Sequence, residues 1–197
     1  MQRLWITGYR SYELNTFQDD DPKAQVIKSV LSENLKQRLD NTTEEFWLIT
    51  GPQMGVERWA VQAALALKPD YPQLKTAIMM PFADFGSHWN EANQAALVKT
   101  RNMVSFSDNV SDSPYQGPQQ LRAYQGFMLT HTDSILMVYD TDHEGKPKWD
   151  YLAATRYRQR HDYPLTLITM DDLQEAAEEW AEKKREEEAE KHGLDYY

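Results

Sequence analysis

The chain has 197 residues, no cysteine and a formal net charge of −10. The lack of cysteine excludes disulfides, cysteine-zinc sites and thiol catalysis, and the acidic charge argues against non-specific nucleic-acid binding, which depends on Lys and Arg neutralising phosphates. The length suits one domain, and no apolar run approaches the roughly 20 residues that a membrane helix needs.

The first residues show neither a charged leader nor a long apolar stretch, because the chain enters a strand-like run at Arg3. A secretory signal would carry both features. We therefore expect a cytoplasmic protein without a membrane anchor, and the cysteine-free composition fits that expectation.

Short apolar runs alternate with segments of helical periodicity. Several of the runs are almost continuously apolar, as is typical of strands covered on both faces. The alternation predicts an α/β fold in which a mainly parallel sheet lies between layers of helices. The predicted strands are Arg3–Thr7, Phe46–Thr50, Lys75–Met80, Met103–Ser107, Ser134–Tyr139 and Leu165–Thr169.

Helix signals lie between these strands. Asp21 can cap the first helix, and Pro22 suits its first turn. Its apolar stripe consists of Val26, Ile27, Val30, Leu31, Leu35 and Leu39. Further helices are predicted over Met54–Leu67, Gly86–Lys99, Pro118–Leu129 and Trp149–Arg160, with a last one starting near Asp172, which has capping-box spacing to Glu175.

The second helix is apolar on most sides, which indicates deep packing and a subunit partner. With the six tryptophans of the chain, this leads us to expect a homodimer. No repeat or Gly/Ser linker divides the sequence. We predict one domain over residues 1–170, followed by an acidic helix over 171–197 that packs on it and frays beyond Ala181.

Two predicted strands end in the same three residues, Ile-Thr-Gly, at Gly8 and at Gly51. Parallel α/β sheets bind ligands at the carboxyl ends of their strands, where helix N-termini attract anions. Gly51 permits a sharp exit from the strand, and Gly55 would leave room for a phosphate in the first helical turn. The segment is neither a Walker loop nor a Gly-x-Gly-x-x-Gly motif.

Side chains near these turns suit a nucleotide. Tyr9 can stack on a base, Arg10 can pair with phosphate, and Glu57 can accept hydrogen bonds from a ribose or simply complement the helix dipole. Arg58 is equally compatible with phosphate binding and with an exposed helix position. The candidate ligand-binding residues are Gly8, Tyr9, Arg10, Gly51, Gln53, Gly55, Glu57, Pro81, Phe82 and Asp140.

An acidic turn follows the fifth predicted strand, with potential metal ligands at Asp140, Asp142, His143 and Glu144. Their spacing matches no EF-hand loop. We predict no metal site. Asp140, at a strand end, is interpreted as part of the rim of the same ligand crevice. Near the third strand, Phe82 and Trp89 can wall a base pocket or belong to the core, and His88 has no visible catalytic partner.

In this order, the motifs resemble the YpsA-like family of the SLOG superfamily, which also includes the Lonely Guy enzymes and DNA-processing protein A. The matching pieces are Thr7–Arg10, Thr50–Ala60, Pro81–Phe82 with Trp89, and Tyr139–Asp140 with Glu144–Pro147. The resemblance implies a Rossmann-like three-layer α/β/α domain, a nucleotide-derived ligand such as ADP-ribose, and ligand roles for Gly8, Arg10, Gly51, Gly55 and Glu57.

The resemblance also implies a role linked to bacterial cell division. It does not imply the phosphoribohydrolase reaction, because the Pro-Gly-Gly-x-Gly-Thr motif of the Lonely Guy enzymes is absent from Tyr139–Pro147. We therefore favour a sensor or regulatory protein that needs no cofactor besides its nucleotide-type ligand.

Two alternatives stay open. The first is an enzyme that cleaves a nucleotide N-glycosidic bond, with Glu57 and Asp140 as the candidate carboxylates. The second is a module that binds a protein or single-stranded DNA, although the acidic charge disfavours DNA.

Overall fold

A computed structural model describes residues 1–194 and contains one six-stranded sheet with six helices. The strands are β1 (Gln2–Gly8), β2 (Phe46–Thr50), β3 (Leu74–Met80), β4 (Phe106–Asn109), β5 (Ser134–Val138) and β6 (Leu165–Ile168). The helices are α1 (Pro22–Leu39), α2 (Val56–Leu67), α3 (Glu91–Met103), α4 (Pro118–His131), α5 (Lys148–Tyr157) and α6 (Met170–Leu194).

The strands are all parallel and lie in the order β4-β3-β2-β1-β5-β6. The chain thus builds outward from β1 to β4 and then returns to add β5 and β6 on the other side of β1. Right-handed crossovers place α1, α2 and α3 on one face of the sheet and α4 and α5 on the other. The predicted Rossmann-like α/β fold is confirmed.

The core lies on both faces of β1, where Trp5 and Ile6 are completely buried. On one face, the predicted apolar stripe of α1 packs against α2. The side chain of Asp21 accepts a hydrogen bond of 2.8 Å from the amide of Lys23, so it caps α1 as predicted.

The second helix is more buried than a surface helix, and among its twelve residues only Ala66 is exposed. It packs against β1, β2, β3 and α1. The apolar surface that suggested a subunit partner is therefore covered within the chain, and the expectation of a homodimer has to rest on another face.

The predicted bounds of α3, β4 and the last helix differ from those of the structure. Positions 86–90 form turns, and α3 begins only after Asn90, whose side chain accepts a hydrogen bond from the Asn93 amide at 2.9 Å. Because α3 then continues to Met103, β4 starts at Phe106. The last helix begins earlier than predicted, because Thr169 rather than Asp172 precedes its first turn and exchanges hydrogen bonds with Asp172.

The acidic helix α6 packs against α1, and Met170 and Leu173 at its start pack against the apolar core. From position 181 to position 191 every residue is exposed, which agrees with the predicted solvated end. Residues 195–197 lie outside the described part of the chain. Over residues 1–194 no helix is both long and apolar enough to cross a bilayer.

Candidate functional site

A buried polar cluster lies at the carboxyl ends of β1 and β2. Its centre is the hydroxyl of Thr7, which donates a hydrogen bond of 2.8 Å to Oε1 of Glu57 and lies 3.4 Å from Oδ2 of Asp150. Thr7 is completely buried, while Glu57 and Asp150 are 3% and 8% exposed. One hydroxyl thus joins carboxylates from α2 and α5.

Each carboxylate has a second partner that fixes its orientation. The other oxygen of Glu57 accepts a hydrogen bond of 2.8 Å from the backbone amide of Gln53. Oδ1 of Asp150 accepts one of 2.7 Å from the side-chain amide of Gln125 on α4. The cluster therefore ties the β2–α2 loop to two helices on the opposite face of the sheet.

Burial determines the protonation of this cluster. Desolvation raises the pKa of Glu57, and the nearby Arg10 guanidinium opposes that shift. Desolvation likewise raises the pKa of Asp150, again against the charge of Arg10. Two carboxyl groups that approach one hydroxyl in a dry site ionise less readily than exposed ones. The pair can therefore hold a proton at a pH at which exposed carboxyl groups have lost theirs.

Tyr124 of α4 brings a hydroxyl group to the same place. The residue is 8% exposed, and its hydroxyl is buried without a hydrogen-bond partner among residues 1–194. Burial and the two acids raise the pKa of Tyr124 well above the usual value, so the phenol stays neutral. A buried hydroxyl without a partner costs free energy, which makes Tyr124 a donor available to a bound group.

Gly51 is the glycine that makes this arrangement possible. A Cβ atom there would lie 2.5 Å from Oε2 of Glu57 and 2.5 Å from the Tyr124 hydroxyl. Any side chain at this position would displace one of those two groups. Gly51 therefore lies at the polar cluster and makes room there for the protein's own polar atoms, while its ligand-binding role stays a prediction.

The other two predicted glycines serve chain packing. A Cβ at Gly55 would lie 2.5 Å from the amide nitrogen of Ser11 and 2.6 Å from the carbonyl oxygen of Tyr9, and the residue has a φ of +111°. A Cβ at Gly8 would meet the carbonyl of Val138 at 2.6 Å. The space beside Gly55, expected to receive a phosphate, is filled by the β1–α1 loop.

Part of the expected phosphate cradle is also occupied. The first amide of α2, that of Val56, donates to the carbonyl of Tyr9 at 3.1 Å. Arg10 lies at the cluster, where one guanidinium nitrogen donates to the carbonyl of Gly8 at 2.8 Å. Arg10 is thus positioned as the cation of the site, while its charge faces the two acids.

Tyr9 is 3% exposed and packs on Tyr139 with ring centroids 5.7 Å apart. Its hydroxyl donates to the carbonyl of His143 and accepts from the amide of Asp140 at 3.0 Å. The ring is therefore part of the core. It fills the space between the loops that follow β1 and β5, and the chain itself covers its faces.

Glu13 also contacts both of these loops. One of its oxygens accepts a hydrogen bond from the amide of Arg10 at 2.7 Å, and the other accepts one from the amide of Lys146 at 2.7 Å. A Cβ at Gly145 would lie 2.5 Å from that second oxygen. The loops after β1 and β5 are thus joined where a Rossmann-like sheet usually opens its crevice.

Asp140 lies apart from the polar cluster. Its carboxylate accepts backbone hydrogen bonds from Asp142 at 2.9 Å and from Met170 at 3.0 Å. These bonds hold the β5–α5 loop against the start of α6. Over residues 1–194, no three His, Asp or Glu side chains are grouped as metal ligands.

The rim beyond β2 and β3 contains the remaining candidates. A cavity of about 10 Å³, the size of one water, is lined by Gln53, Arg58 and Thr100 among others. Pro81 is buried, and Phe82 packs on the half-exposed Tyr115 with ring centroids 5.0 Å apart. Arg58 is bound to Asp19 at 2.8 Å.

Sequence reasoning missed Thr7 as a functional side chain and missed Tyr124, Gln125 and Asp150 altogether. Asp150 lies in the first turn of α5, where an acid normally complements the helix dipole in water. The sequence contains one indication of its role. Asp150 follows the loop after β5, and β5 pairs with β1, where Thr7 lies.

The family model YpsA, described as the YspA SLOG family, matches residues 4–173. A UPF0398 protein of Limosilactobacillus reuteri is 57% identical over 94% of this chain and 98% of its own length. Those of Levilactobacillus brevis and Leuconostoc citreum are 58% and 50% identical, covering 95% and 97% of their own lengths.

Proposed function

The chain belongs to the YspA SLOG family, and from that premise we propose that it binds a nucleotide-derived ligand of the ADP-ribose type as a sensor or regulatory protein. The site is the carboxyl end of β1, β2 and β3. The observation that carries the proposal is the convergence of Glu57, Asp150 and the unpartnered Tyr124 hydroxyl beside Gly51.

The chemistry of these groups fits a ribose. Sugar hydroxyls can donate to the two carboxyl groups and accept from the neutral Tyr124 phenol. Arg10 supplies positive charge for a phosphate. The aromatic rings of Phe82 and Tyr115, in contact at the rim, offer a surface on which a base can stack.

The cavity of about 10 Å³ is far smaller than a nucleotide. Binding therefore takes place across the rim and requires the β2–α2 segment, residues 51–54, to move. Because the amide of Gln53 is held by Glu57, a ligand that engages Glu57 releases this segment. This movement of residues 51–54 at the rim would be the ligand-dependent change of conformation through which a sensor signals.

Calorimetry with ADP-ribose, NAD and AMP tests the proposal. We expect one of these ligands to bind, with an affinity lowered at least tenfold by Glu57→Gln and by Arg10→Ala. Arg156→Ala, on α5, is a control that should leave binding unchanged. If none of the ligands binds the folded wild-type protein, the proposal is wrong.

A second candidate function is hydrolysis of a nucleotide N-glycosidic bond. It is favoured by one observation, the pairing of Glu57 and Asp150 across Thr7, because glycoside cleavage uses two carboxyl groups, one of them protonated. Asp150 replaces Asp140 as the second acid, since the carboxylate of Asp140 binds backbone amides instead. Release of free base from nucleoside monophosphates, abolished by Asp150→Asn, would support this function over simple binding.

A further inference from the structure

Asp19 lies in the loop between β1 and α1 and accepts hydrogen bonds from four side chains. Its Oδ2 accepts one of 2.8 Å from Arg58 and one of 2.9 Å from the side-chain amide of Gln62. Its backbone carbonyl accepts one of 2.8 Å from Gln25 and one of 2.9 Å from the ammonium group of Lys28. Two cations and two amides, from α1 and α2, thus converge on one residue.

The guanidinium group of Arg58 is only partly satisfied by these contacts. Its Nε and Nη2 hydrogens lie on one edge of the group, where a single anion can accept from both at once. Asp19 binds Nη2, whereas Nε is buried and has no hydrogen-bond partner among residues 1–194. Nη1 lies 3.9 Å from the sulfur of Met54, which is a weak acceptor. The edge of Arg58 therefore holds one acceptor where it can hold two.

The position of Asp19 explains why its carboxylate binds Arg58 through one oxygen. That oxygen is shared with Gln62, and the carbonyl of the same residue is held from α1. The side chain of Asp19 is 41% exposed and that of Arg58 is 22% exposed. An ion pair that reaches solvent contributes little to stability, so an anion that binds both nitrogens of the edge can displace the carboxylate.

A phosphate group fits these donors better than the carboxylate does. Two of its oxygens can accept from Nε and Nη2 of Arg58, and a third can accept from the amide of Gln62. Arginine recognises phosphate through this two-bond geometry. The ammonium group of Lys28, which binds a neutral carbonyl oxygen, supplies a second positive charge for a dianion.

Room for a phosphate depends on the loop that carries Asp19. Arg58 lines the cavity of about 10 Å³ together with Thr100 and residues 51–54. Because that cavity holds one water, a phosphate also needs the space of the Asp19 carboxylate. Phe17, Gln18 and Asp20 are exposed, so residues 17–20 can move outward without opening the core.

We propose that Arg58, Gln62 and Lys28 form a phosphate-binding site between α1 and α2, for which the Asp19 carboxylate is the competing anion. The ligand class is a phosphate group, either free or carried by an organic molecule. The carboxylate sets the threshold, because phosphate binds only by displacing it. The site is separate from the one at Glu57 and needs no nucleoside, so it can be tested with an inorganic anion.

Calorimetry with inorganic pyrophosphate at constant ionic strength tests the site. Asp19→Ala removes the competing carboxylate, so pyrophosphate should bind this variant about tenfold or more tightly than it binds wild type. Asp19→Asn keeps the shape of the side chain and should change the affinity in the same direction. Asp20→Ala is the matched control, because it removes the same charge from the neighbouring exposed residue and leaves Arg58 paired. It should change the affinity by less than about threefold, since salt screens exposed charges.

Arg58→Lys, made in the Asp19→Ala background, tests the role of the two-bond edge. It keeps the positive charge but loses the fork, so the affinity gained in Asp19→Ala should be lost. In ¹H–¹⁵N spectra of Asp19→Ala, the Nε–H signal of Arg58 should shift when pyrophosphate is added. Thermal unfolding of each variant shows that it is folded.

AMP in place of pyrophosphate identifies the source of the phosphate. A gain in Asp19→Ala for both ligands assigns the site to a nucleotide phosphate, and a gain for pyrophosphate alone assigns it to a free anion. The proposal is overturned if folded Asp19→Ala does not bind pyrophosphate at about 10 mM. It is also overturned if Asp20→Ala raises the affinity as much as Asp19→Ala does, or if Arg58→Lys leaves the gain intact.

Discussion

The hydroxyl of Thr7 lies 2.8 Å from Oε1 of Glu57, at the point where β1 ends and below the first turn of α2. Both side chains are almost completely buried. A carboxyl group in such a place has properties that differ measurably from those of a surface acid, and these properties can be tested without knowledge of the ligand.

The first prediction concerns pH. Burial raises the folded-state pKa of Glu57 and Asp150, so the folded state binds their protons more tightly than the unfolded state does. The free energy of unfolding should therefore fall as pH rises above the ordinary carboxyl range near 4. Relative to wild type, Asp150→Asn should gain stability as the pH rises above that range, as measured by urea denaturation. Asp133→Asn is the control with the opposite sign, because Arg3 lowers the pKa of Asp133. The Asp133 carboxylate stabilises the fold above the ordinary carboxyl pKa and loses that effect as the pH falls below it, so this variant should differ from wild type least in acid.

The second prediction separates the two glycines of the β2–α2 turn. Gly55→Ala should destabilise the protein by about 3 kcal/mol or more, because φ is +111° and the new Cβ would meet the backbone of Ser11. Gly51→Ala should cost about 1–3 kcal/mol, since side chains can move away from it. Denaturation curves that show equal, negligible losses for both would contradict this account.

The third prediction concerns two buried tyrosines. Tyr124→Phe removes a hydroxyl that has no hydrogen-bond partner in the described part of the chain, so stability should be unchanged or higher by about 1 kcal/mol. Tyr163→Phe removes a hydroxyl that is 2.7 Å from that of Thr132 and should cost about 1 kcal/mol. Thermal unfolding of both variants measures the contrast. A large loss in Tyr124→Phe would mean that its hydroxyl has a partner in solution.

The fourth prediction concerns the acidic helix. Deletion of residues 182–197 removes a segment whose described side chains, up to position 191, are all exposed. The thermal midpoint should change by no more than the equivalent of about 0.5 kcal/mol. Deletion from position 171 onward should destabilise the protein strongly, because α6 packs against α1 and Leu173 at its start packs against the apolar core.

Sequence periodicity was sufficient to predict the fold. Strands that are buried on both faces appear in the sequence as continuous apolar runs, and the apolar stripe of α1 recurs at helical spacing. Periodicity failed at α3 because Gly86 and Trp89 look compatible with a helix, whereas Trp89 closes a backbone turn with Gly86 and the helix starts only after its cap, Asn90. The strand β4 starts later than predicted because α3 extends to Met103, the first residue that the pattern assigned to the strand.

Only part of the polar cluster could be predicted from the sequence. Glu57 follows a motif, so its importance could be predicted, but its partner Asp150 is 93 positions away and looks like an ordinary acid of a first helical turn. The sequence favours Asp140 instead, because it follows the end of a strand. Whether an acid at a strand end faces a crevice or binds nearby amides depends on the loop that follows, and periodicity does not report on loops.

Glu13 lies in the loop after β1, where one oxygen of its carboxylate accepts a hydrogen bond of 2.7 Å from the Arg10 amide of the same loop. The other oxygen accepts one of 2.7 Å from the Lys146 amide and so joins this loop to the one after β5. A molecule that enters between the two loops therefore has to break at least the bond to Lys146.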